Sequence, residues 1–107
     1  MAPKTHLGAC AFHCAPGALK RALKAGADPD ERDPDTQRTP LMWLCEMHDA
    51  HTRSRKRMWR RLLQAGADLH ARDHAGMTAV DVAKWGAARA FRRFVEREAR
   101  RLQAATP

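Results

Sequence analysis

The sequence predicts an all-α protein built from repeated pairs of helices joined by short turns. One observation is an internal repeat: residues 23–28 (LKAGAD) recur as residues 63–68 (LQAGAD). Each copy ends an amphipathic stretch with Gly, which favours the left-handed conformation that closes a helix. A second observation is that apolar residues precede both copies at the i, i+1, i+4, i+5 spacing of one helical face. These residues are Ala18, Leu19, Ala22 and Leu23 in the first copy, and Met58, Trp59, Leu62 and Leu63 in the second.

Length and composition fit a single small domain covering residues 1–107. Hydrophobic residues make up 44% and charged residues 30% of the 107 positions, enough for a modest core but not for two domains. The apolar runs are short and the first residues lack a signal-peptide pattern, so we expect neither membrane insertion nor secretion, and a cytoplasmic location. Three cysteines are too few for a disulfide scaffold, which indicates reduced thiols.

The turns between the helices carry start signals. The polar segments 28–38 and 68–77 are each followed by a threonine, Thr39 or Thr78, that is suited to cap a new helix. Pro40 then falls in the first helical turn, where its missing N–H costs no hydrogen bond. The sequence therefore alternates helix, turn and helix along its length.

Together these landmarks resemble the ankyrin repeat, whose unit is a β-turn followed by two antiparallel helices, with T-P-L-H-x-A and L-L-x-x-G-A-D segments. The matching helix starts are residues 5–7 (THL), 39–41 (TPL) and 78–83 (TAVDVA). The resemblance implies an ankyrin-repeat solenoid of helix-turn-helix units with short β-hairpin-like turns. It places three units near residues 2–34, 35–74 and 75–103.

The second unit departs from the regular pattern. Leu41 and Gly66 are 25 residues apart, whereas Leu7 and Gly26 are 19 residues apart. We therefore expect residues 46–57 to enlarge the loop between two helices or to lengthen both helices. The turn before Thr39 also holds one extra residue near Gln37.

The histidines and cysteines near the N-terminus, His6, Cys10, His13 and Cys14, are candidates for a metal or catalytic site. One helix cannot surround zinc with four ligands, so further ligands such as Cys45 or His48 are required. A Cys14–His pair has no recognisable oxyanion loop or orienting carboxylate beside it. The resemblance places Cys10 and Cys45 at small buried positions, so we predict buried thiols, no metal, no cofactor and no catalytic residue.

The positive charge is concentrated in the second half of the chain. The net charge is +8, with fourteen Lys and Arg against five Asp and Glu in residues 53–107. The run 53–61 alone contains six positive side chains. Three interpretations remain open: a solvated face, a surface for an acidic protein, and a phosphate-binding surface.

The three tryptophans differ in their predicted environments. Trp59 lies in register with core leucines and is predicted to be buried. The resemblance places Trp43 towards the groove that binds partners. It places Trp85 near the end of the first helix of the last unit, where we expect no following unit to cover it. Exposed aromatic residues are typical of the centres of interfaces.

The sequence thus predicts a non-catalytic protein–protein interaction module, a stand-alone adaptor, inhibitor or immunity protein whose partner presents an acidic patch. The alternative is a nucleic-acid-associated protein that uses the Arg-rich C-terminal half. The predicted partner-binding residues are Trp43, Met47, His48, His74, Met77, Trp85, Arg53, Arg55, Arg57, Arg92 and Arg93.

Overall fold

The fold consists of three consecutive pairs of helices. The computed structural model describes residues 2–46, 51–86 and 89–105. The helices are α1 (His6–Phe12), α2 (Pro16–Lys24), α3 (Pro40–Cys45), α4 (Thr52–Gln64), α5 (Ala79–Gly86) and α6 (Arg89–Ala105). No strand occurs in those three stretches, which confirms the all-α prediction.

Threonine precedes each first helix, as predicted, but the three caps differ. The Thr5 hydroxyl accepts a hydrogen bond from the Gly8 N–H at 3.1 Å. Thr78 and Asp81 form a reciprocal capping box, with bonds of 3.0 and 3.3 Å. Thr39 also occupies the cap position, but its buried hydroxyl has no hydrogen-bond partner among the described residues. Proline and packing therefore start α3 without a side-chain cap.

Glycine closes α2 and α4 in the same way. Gly26 and Gly66 both have φ +99°. Around Gly66, the Ala67 N–H donates to the Leu62 carbonyl and the Gly66 N–H donates to the Leu63 carbonyl, each at 3.0 Å. This is the two-bond Schellman pattern, which requires a left-handed residue. The repeated AGAD segments thus act as predicted.

The helices form two layers. In the inner layer α1 contacts α3 and α3 contacts α5, while in the outer layer α2 contacts α4 and α4 contacts α6. All six residues of α3 are buried, so this helix lies at the centre of the core. The outer helices bury one face each, as Leu19, Trp59 and Val95 show by their complete burial.

The irregularity of the second unit lies mainly in α4. This helix has 13 residues, compared with 9 in α2. The connection from α3 to α4 spans residues 46–51, of which 47–50 lie outside the described residues. Within the described part of the chain, the extra length therefore lengthens α4 and its connection but not α3, which has only 6 residues.

The extra turn residue is also present. The Asp33 N–H bonds to the Arg38 carbonyl at 3.0 Å, whereas in the next turn the Asp73 N–H bonds to the Met77 carbonyl at the same distance. The first loop is thus one residue longer. The additional residue is accommodated at Gln37, which adopts a left-handed backbone conformation with φ +62°.

None of the helices in the described ranges combines the length and the apolar character needed to cross a bilayer.

Two glycines give a matched test of the helix ends. Gly66→Ala places a Cβ on a left-handed residue and should lower the free energy of unfolding by about 1 kcal/mol or more. Gly17→Ala lies on the exposed side of α2, where the added Cβ comes no closer than 3.5 Å to another group. It should raise stability by up to about 1 kcal/mol. Urea titration followed by circular dichroism measures both, and equal effects would contradict the cap assignment.

Candidate partner-binding groove

An exposed tryptophan marks a groove at the end of the inner layer. Trp85 is 84% exposed. The other large hydrophobic side chains among the described residues are buried or half-buried. It lies near the end of α5. The Trp85 groove is lined by Arg38, Glu46, Met77, Val82, Trp85 and Gly86.

The charged side chains beside the groove are paired, with one guanidinium between two carboxylates. The Arg38 guanidinium forms an ion pair with Glu46, and its Nε lies 3.6 Å from an Asp73 carboxylate oxygen. The same guanidinium lies over the Trp43 ring, 5.0 Å from its centroid. Arg38 therefore connects the turn, the end of α3 and the core, and the groove presents apolar surface beside paired charges.

Two successive turns are held together beside the groove. The backbone N–H of His74 donates to the Thr36 carbonyl at 3.0 Å, and the His74 Nδ1 lies 2.8 Å from the same oxygen. The Arg32 guanidinium bonds to the Arg72 carbonyl at 2.5 Å. Asp30 accepts from the Asp68 N–H at 2.8 Å. His74 is exposed on this connected edge, although it does not line the Trp85 groove.

The predicted exposure of Trp43 is wrong. Its side chain is 0% exposed and packs edge to face against Phe12, with ring centroids 5.6 Å apart. The reason is Gly8 on α1: a Cβ there would meet the Trp43 ring at 3.0 Å. The missing side chain of Gly8 leaves room for the indole in the α1–α3 interface. Trp43 therefore stabilises the core and has no surface to offer a partner.

The predicted exposure of Arg55 is also wrong. The residue is 1% exposed, and its Nη1 donates to the Leu44 carbonyl at 3.2 Å. That carbonyl lies at the C-terminal end of α3, where helix carbonyls lack partners within the helix. Burial lowers the pKa of the guanidinium, although the nearby Cys14 and Cys45 raise it. Arg55 thus joins α3 to α4.

A sequence signal for this burial was available. Arg55, Met58, Trp59 and Leu62 are the buried residues of α4 and lie at i, i+3, i+4 and i+7. This spacing is the apolar stripe of an amphipathic helix. Arg55 occupies the first position of this stripe, where its place in a basic run conceals the signal.

The other predicted partner-binding residues fall into three groups. Met77 is half-buried in the groove beside the exposed Trp85. Arg53, Arg57 and Arg93 are exposed on α4 and α6, whereas Arg92 is half-buried. Met47 and His48 lie outside the described residues. The structure therefore groups Met77 with Trp85 and puts the arginines on separate helices of the outer layer.

The thiols that were predicted to be buried are buried. Cys10 is 5% exposed and Cys45 is 0% exposed, and burial raises the pKa of both. For Cys45 this effect far exceeds the opposing influence of Arg55. The His6 ring nitrogen lies 3.9 Å from the Cys10 sulfur. The described residues hold no group of three side chains placed to bind a metal ion.

Comparison with known proteins supports the resemblance over part of the chain. A family model described as "Ankyrin repeats (many copies)" matches residues 47–92. This range extends over α4, the following turn, α5 and the start of α6, and it contains His74, Met77 and Trp85. Residues 47–92 are therefore similar to ankyrin repeats, as the sequence resemblance indicated, and ankyrin repeats are protein–protein interaction modules. A search of the curated proteins found no match.

Two arginines of α4 test the corrected burial. Arg55→Ala removes the donor to the Leu44 carbonyl and should lower the free energy of unfolding by at least about 2 kcal/mol. Arg57→Ala removes an exposed side chain from the same helix and should change it by no more than about 0.5 kcal/mol. Urea unfolding measures both. Similar small effects would mean that Arg55 is not buried.

Thiol labelling gives a second, independent test of burial in the core. The thiolate is the reactive form, and burial with a raised pKa suppresses it at Cys10 and Cys45. At pH 8 an aromatic disulfide reagent should label the half-buried Cys14 first. Cys10 and Cys45 should react only when the protein unfolds, as mass spectrometry of quenched samples can follow. Rapid labelling of Cys45 in the folded protein would contradict its burial.

Proposed function

We propose that this protein is a three-unit ankyrin-repeat solenoid that binds a protein partner at the Trp85 groove. In this proposal the units span residues near 2–34, 35–74 and 75–103 and form one domain with short β-hairpin-like turns. The protein acts in the cytoplasm as a non-catalytic adaptor, inhibitor or immunity protein. It works by covering a surface of its partner.

The exposure of Trp85 is the observation that carries the proposal. An indole that is 84% exposed remains in water while Trp43 and Trp59 are both fully buried. Covering an aromatic side chain removes on the order of 200 Å² from water, which contributes about 5 kcal/mol before the costs of association. Tryptophan is accordingly enriched among the residues that dominate binding energy. A partner that covers Trp85 therefore gains this favourable free energy of burial.

The surroundings of Trp85 support a protein ligand. The half-buried Met77 extends the apolar surface beside Trp85, and the Arg38–Glu46 ion pair supplies polar groups at its edge. An apolar centre with a polar rim is the usual anatomy of an interface. His74, on the neighbouring turn edge, offers a further polar contact. Met47 and His48 belong to the same proposed site, in the connection that follows Glu46.

The charge of the protein supports a partner with an acidic patch. A net charge of +8 attracts such a surface over long distances and raises the association rate. Arg92 and Arg93 contribute to this attraction, as Arg53 and Arg57 do from α4. These residues assist the encounter, whereas Trp85 supplies the affinity.

The test begins with affinity capture from the native host, using the wild-type protein and Trp85→Ala side by side. A partner retained by the wild type is then purified and titrated by calorimetry. Trp85→Ala should weaken binding about 30-fold, which corresponds to about 2 kcal/mol. The matched control is Gln64→Ala, at an exposed position of α4 that does not line the groove, which should change the equilibrium affinity less than about 3-fold.

Two outcomes of this titration separate the alternatives. If the partner binds Trp85→Ala as tightly as the wild type, the groove is not the site. If stoichiometric addition of the protein lowers the activity of a captured enzyme, the inhibitor or immunity role is supported over the adaptor role.

A further inference from the structure

The charge of this protein is divided between its two layers. The outer helices α2, α4 and α6 contain 15 of the 20 Lys and Arg residues but only two of the 12 Asp and Glu residues, a net charge of +13. The rest of the chain carries a net charge of −5. The separation by layer is sharper than the separation by sequence halves, because Lys20, Arg21 and Lys24 of the first half join the basic layer.

Most of these cations face solvent. The outer face is defined here by the twelve exposed cations of the three helices: Lys20, Arg21, Lys24, Arg53, Arg57, Arg60, Arg61, Arg89, Arg93, Arg97, Arg100 and Arg101. The two carboxylates do little to neutralise them. Glu98 is buried and paired with Arg101, and Glu96 is half-buried. The outer face is therefore uniformly positive.

The cations follow the axes of the helices. Along α6 the exposed residues Arg89, Arg93 and Arg97 recur at four-residue intervals, which correspond to steps of about 6 Å. From Arg89 to Arg101 this line is about 18 Å long. Arg53 and Arg57 begin a similar line on the adjacent α4. A nucleic-acid duplex carries on the order of ten phosphates over the same length.

Clefts between the outer helices bring cations together. The cleft between α2 and α4 is lined by Lys20, Lys24 and Arg61 together with Gln64. The cleft between α4 and α6 is lined by Arg60 and Arg101, with Gln64 and with Glu98, the carboxylate that pairs with Arg101. Cations therefore outnumber carboxylates in both clefts, which favours a negatively charged backbone.

The outer face lacks the features that other anionic partners require. Among the described residues, the exposed large hydrophobic side chain is Trp85, which lies on α5 and not on the outer helices. An acidic protein gains most of its affinity from aromatic or apolar residues, a membrane surface takes up an apolar helix face, and single strands stack on aromatic rings. Phosphate neutralisation needs only the cations.

We propose that the outer face binds the phosphate backbone of a nucleic-acid duplex without reading its sequence. The cations release counterions from the duplex, and the helices hold them in fixed lines. The clefts of the outer face share no lining residue with the Trp85 groove, so variants can test duplex binding and partner binding separately.

The variants must spare the cations that also stabilise the fold. Lys56 and Arg60 lie over the Phe94 ring, at 5.3 and 5.2 Å from its centroid, and join α4 to α6. Arg57 and Arg97 are exposed and form no ion pair within the described part of the chain. The test variant is therefore Arg57→Glu with Arg97→Glu.

The control variant reverses two cations outside the outer face, Arg72→Glu with Lys84→Glu. Both residues are exposed, and the total change in charge is the same. The control gives up one hydrogen bond, from the Arg72 guanidinium to the Gly76 carbonyl at 2.8 Å, so its melting temperature is compared with that of the test variant. A third variant, Trp85→Ala, tests independence from the groove. Thermal melting by circular dichroism checks that each variant is folded, and Arg57→Gln with Arg97→Gln replaces the test variant if that protein does not fold.

Binding is measured by fluorescence anisotropy with a labelled mixed-sequence DNA duplex of about 24 base pairs, between about 50 and 200 mM NaCl. The logarithm of the wild-type binding constant should fall linearly with the logarithm of salt, with a slope of about −4 to −6. The test variant should bind at least about 30-fold more weakly at low salt, with a slope shallower by about 2. The control should lose less than about 3-fold, and Trp85→Ala should bind as the wild type does.

Four results would overturn the proposal. They are no duplex binding at the lowest salt, equal losses in the test and control variants, tighter binding to polyglutamate than to the duplex, and tighter binding to phosphatidylserine vesicles than to the duplex. The second would mean that net charge alone is responsible. The last two would assign the face to an acidic protein or to a lipid surface.

Discussion

The complete burial of α3 is the constraint on which the rest of the structure depends. A helix of six residues is far too short to be stable alone, so it forms only because α1, α5 and α4 pack around it. Trp43 fills the space that Gly8 leaves in α1. At the C-terminal end of α3, Arg55 of α4 donates to the Leu44 carbonyl. The central helix is thus held by both layers and joins them.

This buried centre determines where charge and exposed apolar surface can lie. Charged side chains are excluded from the inner contacts except where they are paired, as Arg38 is with Glu46 and Asp73. The outer helices need only one buried face each, so their remaining positions are free to carry arginine and lysine. Near the end of α5, the described residues leave Trp85 in water. The two candidate binding surfaces arise from these two conditions.

Local features of the fold were predictable from the sequence because they depend on neighbouring residues. The glycine closures at Gly26 and Gly66 and the longer turn at Gln37 are set by backbone conformation within a few positions. The environments of Trp43 and Arg55 depend on contacts between separate helices. The burial of Trp43 can be predicted only if Gly8 is known to lie opposite it. The burial of Arg55 can be predicted only if α4 is known to pack against the end of α3.

The candidate sites likewise combine features that the sequence predicts with features that depend on the packing of separate helices. The exposure of Trp85 agrees with the prediction from its place near the end of the first helix of the last unit. The sequence assigned the excess positive charge to the second half of the chain and did not predict that Lys20, Arg21 and Lys24 would join the same layer. Only the packing of α2 beside α4 brings Lys20 and Lys24 next to Arg61.

Acrylamide quenching of single-tryptophan variants tests the central claim that the core ends before Trp85 and encloses Trp43. One variant keeps only Trp43, through Trp59→Phe and Trp85→Phe, and the other keeps only Trp85, through Trp43→Phe and Trp59→Phe. The structure predicts that Trp85 is quenched nearly as readily as a free indole, whereas Trp43 is quenched several-fold more slowly. Equal quenching of the two residues, or faster quenching of Trp43, would contradict the account.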